Sequence, residues 1–162
     1  MPGCPVSAHW FEQQVEEAFA FLKSDYGYRF SPDHLIRGGV AYVHSMQMLG
    51  RNIILRVDHE VTENWLGLRI LTRDNPSVEF DLLDVVRRRE PRAMPRRLPA
   101  HTRVEVERSL GILAQLLQVW ASDMLSQVES LQTQRSLSSA RGGCLPTFLR
   151  LVLRLFGGGD RP

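Results

Sequence analysis

The chain reads as one α+β domain. It has an N-terminal helix, a three-stranded antiparallel meander, a short helix, a long C-terminal amphipathic helix packed on the sheet, and a short amphipathic tail. Three observations predict this. Apolar residues recur at three- and four-residue steps near both ends of residues 1–134 and alternate between them. The alternating runs are joined by short polar turns, with no room for crossover helices, which favours antiparallel pairing. The length of 162 residues, 43% of them hydrophobic and 23% charged, suits a single core with a tail.

Residues 8–24 carry Phe11, Val15, Ala18, Phe19 and Leu22 at helical spacing, with Glu12, Gln13, Glu16 and Glu17 on the other side, and Gly27 ends this helix. Pro32 and the Gly38-Gly39 pair mark an irregular connection. Three strands follow. Val40 to Met48 puts Val40, Tyr42, His44 and Met46 on one face; Ile53 to His59 groups Ile53, Leu55 and Val57; Trp65 to Thr72 groups Leu66, Leu68 and Ile70, with Arg69 opposite. The turn Asp74-Asn75-Pro76-Ser77 closes the meander, and Asp81 is placed to cap a short helix bearing Leu82, Leu83, Val85 and Val86.

Residues 87–103, with prolines at 91, 95 and 99, form an Arg/Pro-rich loop within the domain. The long helix then runs from about Arg103 to Gln134 on the stripe Val106, Leu110, Leu113, Leu117, Trp120, Met124, Val128 and Leu131. Its apolar face is wider than three strands need, so a homodimer through the 103–134 helix is expected. Residues 135–162 are a linker and an amphipathic tail, in which Phe148, Leu149, Val152 and Phe156 are the docking candidates beside Arg150 and Arg154. The run from Leu145 to Phe156 is too short for a bilayer core of about 30 Å. No leader pattern opens the chain, and Cys4 and Cys144 form no CxxC pair, so a cytoplasmic setting with free thiols is expected.

Charge is unevenly distributed. Residues 1–86 carry a net −5, residues 87–103 a net +6, residues 104–134 a net −3 and residues 135–162 a net +4. The loop arginines Arg87, Arg88, Arg89, Arg92, Arg96 and Arg97 admit two readings: a phosphate-tracking patch, or a solvated loop whose cations pair with the acidic body. The stretch lacks aromatics for base stacking, which favours the second.

Catalytic and cofactor patterns are missing. The histidines at 9, 34, 44, 59 and 101 show no ligand spacing, and no Gly-rich phosphate loop or GxSxG elbow occurs, so no metal, no cofactor and no small-molecule substrate are expected. His44, among apolar neighbours, reads as a satisfied, half-buried residue. Asp58, His59, Glu60 and Glu63 cluster near a turn. General acid–base chemistry or a cation site could use such a set, but an acidic hairpin that docks a basic protein partner is the simpler reading, with Asp58, Glu60 and Glu63 as contacts.

The run Phe21-Leu22-Lys23-Ser24-Asp25-Tyr26-Gly27-Tyr28, the strands after it and Phe80-Asp81-Leu82-Leu83 together resemble a loose group of small uncharacterised bacterial α+β proteins. Some of these are similar to immunity proteins of polymorphic toxin systems. The likeness covers about residues 21–86 and implies a non-enzymatic binder, immunity-like or an accessory subunit of a bacterial complex. The alternative is a peripheral nucleic-acid- or membrane-associated adaptor that uses the Arg-rich loop and the apolar tail. An enzyme is the third reading.

Overall fold

The computed structural model describes residues 6–37, 40–73, 79–89 and 97–135, with the side chains of α4 characterised as far as Val119. Helices α1 (Ala8–Ala18) and α2 (Ala20–Tyr26) precede strands β1 (Arg29–Pro32), β2 (Leu35–Arg37), β3 (Val40–Leu49), β4 (Ile53–Glu60), β5 (Trp65–Thr72) and β6 (Glu79–Asp81). Helix α3 (Leu82–Arg89), strand β7 (Leu98–Pro99) and helix α4 (Arg103–Arg135) follow. The fold is α+β, with an antiparallel sheet in the order β1-β3-β4-β5-β6; β2 also pairs with β3, and β7 with β5.

Alternation sorts the three central strands into two faces. Met46, Met48, Ile53, Leu55, Val57, Leu66, Leu68 and Ile70 point inward. There they meet Phe11 and Val15 of α1, Leu22 of α2, Leu82, Leu83 and Val86 of α3, and Val106, Leu110, Leu113 and Leu117 of α4. The inward sets expected for β4 and β5 are therefore the ones found. The opposite face carries a polar network described below.

Three features differ from the sequence-based expectation. The first helix is two, because the chain leaves helical geometry at Phe19 (φ −108°, ψ 20°), while Leu22 keeps its expected place in the core. Ser7 caps α1 by accepting from the Trp10 amide, and Gly27 ends α2 in the left-handed region at φ 70°, where a Cβ would be strained. Next, the meander is the centre of a wider sheet, to which β1, β2, β6 and β7 add short edges of two to four residues. The segment around Pro32 read as irregular is in fact β1 and β2. Finally, Tyr42 does not continue the inward row of His44 and Met46, because the β2–β3 register shifts beside it. The expected capping of α3 is present: the Asp81 carboxylate accepts from the amides of Leu83 at 2.8 Å and Asp84 at 3.3 Å.

Cys4, Cys144, the turn at 74–77, Arg92, Arg96 and the tail residues Phe148, Leu149, Val152 and Phe156 lie outside the described residues.

Candidate interaction surface

Strand β4 pairs with β3 only from Val43 onward, where Val43 opposes Glu60. Val40 and Ala41 instead pair with β2, and the Tyr42 carbonyl accepts one bond from the Val61 amide at 3.2 Å. The β2–β3 hairpin is thus an arm that overhangs the end of the sheet. Leu35 opposes Val43 and Ile36 opposes Ala41, so Tyr42 is an extra residue, a β-bulge at the root of the arm. Leu35 is 60% exposed, Ile36 68% and Tyr42 42%, a concentration of large apolar side chains on one short hairpin. The sequence placed Tyr42 on the inward face and singled out neither Leu35 nor Ile36, because the three residues of β2 are too few to show a period.

Register places a second group beside the arm. Leu35, Val43, Glu60 and Trp65 stand opposite one another across β2, β3, β4 and β5, on the face away from the helices. The Trp65 ring lies over Gly67, where a Cβ would collide with it. Its indole N–H donates to Glu63 at 3.0 Å, Arg97 donates to the same carboxylate at 2.9 Å, and the Arg97 guanidinium sits 5.4 Å from the ring centre. Asn64, at φ 54°, makes the turn that brings Glu63 back against Trp65. The Glu60 carboxyl is raised above its ordinary value by burial and by the like charges of Glu63 and Asp58, against the pull of Arg69. The end of the sheet therefore combines an apolar arm with two carboxylates, one of which lacks a close cation of its own among the described residues.

Asp58 does not belong to that acidic end. It is 5% exposed and lies in the network on the outer face. The Ser45 hydroxyl donates to it at 2.6 Å, Arg56 Nε approaches to 3.1 Å and Arg69 Nε to 3.4 Å. The same two arginines reach Glu79, at 3.6 and 2.9 Å. The physical reason is the two-residue period: Arg56 and Asp58 share a face, and pairing with β5 brings Arg69 beside them.

On the helix-facing side, register sets His44 against His59, and His34, between β1 and β2, places its ring edge-on to His44. The ring centres are 5.6 Å apart for His34–His44 and 5.7 Å for His44–His59. His44 is 4% exposed, deeper than the half-buried position expected for it, and His59 is 2% exposed. Burial lowers His44 below the ordinary imidazole value and pushes His59 down to about 4.

Of the loop arginines, Arg87 pairs with Asp84 at 2.7 Å and Arg97 is held by Glu63 and Trp65. Both are spent within the chain. Arg88 and Arg89 belong to α3, and their side chains are not among those described. Among the described residues, no group of three or more His, Cys, Asp or Glu could hold a metal ion, and no helix is long and apolar enough to cross a membrane.

No family model, curated protein or solved structure matches the chain. What it does must be read from this surface.

Proposed function

We propose that the chain is a non-enzymatic protein-binding module, immunity-like or an accessory subunit of a bacterial complex, that holds its partner at the arm end of the sheet. The observation that carries this reading is the juxtaposition of exposed Leu35, Ile36 and Tyr42 with the carboxylates of Glu60 and Glu63. Such a surface fits a partner segment that is apolar at its centre and basic at its flank. The apolar arm supplies desolvated contact area, and the carboxylates supply orientation and salt-sensitive steering. A lysine or arginine set against Glu60 also relieves the like-charge crowding there.

The internal pairing of Arg87 and Arg97 weighs against the nucleic-acid and membrane alternative, because those cations are already matched. The experiment is capture from the native host with the tagged wild-type chain, Ile36→Asp and Glu63→Lys, at low and high salt. A stoichiometric protein bound by the wild type and lost from both variants, with unchanged melting temperatures, is expected. A partner retained by both variants, or nucleic acid or lipid released as salt rises, overturns the reading.

A further inference from the structure

Each imidazole of the row uses its Nε2 in the same way. His44 faces the Val6 carbonyl at 3.2 Å and His59 the Ala100 carbonyl at 3.1 Å; a carbonyl only accepts, so Nε2 carries the hydrogen in both. His34 accepts the Ser45 amide at Nδ1, 3.2 Å away, so its Nε2–H points to Glu12 at 2.6 Å. The remaining nitrogen, Nδ1 of His44 and of His59, is buried with no hydrogen-bond partner among the described residues. The next proton on either of these two rings therefore arrives at Nδ1. At His44 and His59 it would create a cationic N–H with nothing to receive it.

The cover over both buried rings is Phe11 of α1, its ring centre 6.0 Å from His44 and 5.9 Å from His59. The other neighbours are the Val6 carbonyl just ahead of α1, the His34 ring, strands β3 and β4, which ladder hydrogen bonds lock together, and the Ala100 carbonyl before α4. We propose that the histidine row is an acid-operated latch: proton uptake at Nδ1 of His44 and His59 lifts α1 from the sheet while β3, β4 and β5 stay paired. Water reaches the two nitrogens once Phe11 leaves.

Among the described residues, few charged or titratable groups face the row. From α1, Glu12 meets His34 and lies 3.8 Å from His9, and it opposes opening by holding α1 to the β1–β2 edge. From α4, the Arg103 guanidinium stacks 4.9 Å over Trp10 of α1. Among the three imidazoles, His34 disfavours charge on His44, as His44 does on His59. The sign follows from the depressed closed-state values. An exposed ring regains a value near 6.5, so the closed form binds fewer protons, and its advantage, complete above pH 6.5, is lost as the pH falls toward about 4. The opening equilibrium of α1 should rise about tenfold per pH unit for each histidine that participates.

Hydrogen exchange by segment tests this, with rates corrected for the intrinsic pH dependence of amide exchange. In the wild type, residues 8–18 are expected to lose protection between pH 6.5 and 4.5, while residues 53–60 and 65–72 keep theirs. In the double variant His44→Gln, His59→Gln, whose side chains keep an N–H donor but take up no proton, the loss is expected to vanish. Loss of protection in all segments together, full protection of α1 down to pH 4.5, or an unchanged pH profile in the variant would each overturn the latch. If the double variant does not fold, the comparison of segments in the wild type decides alone.

Discussion

Asp58 accepts the Ser45 hydroxyl and faces two guanidinium groups on the outer face of the sheet, so removing its carboxylate leaves Arg56 and Arg69 crowded against each other. Asp58→Ala is expected to lower unfolding free energy by about 2 kcal/mol, between the cost of an unsatisfied polar group and that of a broken buried ion pair. Glu63→Ala, whose carboxylate is 55% exposed, should change it by less than about 1 kcal/mol. Chemical denaturation of the two variants checks this, and equal effects would contradict the different roles assigned here. From sequence the two carboxylates look alike, five positions apart beside one turn. What separates them is the register between β4 and β5, which places Arg69, eleven positions along the chain, next to Asp58. The same blindness hid the histidine row. His44 and His59 meet by cross-strand opposition and His34 joins them from the connection between β1 and β2, relations that linear spacing does not encode.

At the scale of elements, legibility tracked length and pattern. Strands β4 and β5 each have eight residues of clear alternation, and their inward faces were readable from Ile53, Leu55, Val57, Leu66, Leu68 and Ile70. The edges were not, because two to four residues are too few to show a period, and Pro32 resembles a break although an edge strand tolerates it. The α3 cap was legible, since an aspartate ahead of an apolar helical run has a local job that tertiary context rarely changes. Asp81→Ala should cost about 1 kcal/mol by losing the bonds from Leu83 and Asp84. A thermal melt measures it, and no change in melting temperature would mean that the cap is dispensable to the domain. The break at Phe19 was invisible because the apolar spacing runs through it without interruption.

For the whole molecule, the helices and inward strand faces share one core, which leaves one end of the sheet to carry the arm and the acidic turn. Segment charge already implied that the body is acidic and the basic stretches separate. It also favoured pairing of the loop cations with that body, and the partners, Asp84 for Arg87 and Glu63 for Arg97, come from the structure. The structure also separates two kinds of exposed apolar residue. Leu35, Ile36 and Tyr42 gather at the arm, whereas Val104 and Val119 stand on α4, the helix through which a homodimer was expected. Arm-centred binding and helix-centred self-association therefore make opposite spatial predictions.

Photo-crosslinking in the native host separates them most directly, with a photoreactive residue at position 36 in one variant and at position 119 in another. The account predicts a discrete heterologous protein adduct at 36, abolished by Glu60→Lys with Glu63→Lys, and none at 119. An adduct with a second copy at 119 and nothing at 36 would contradict it.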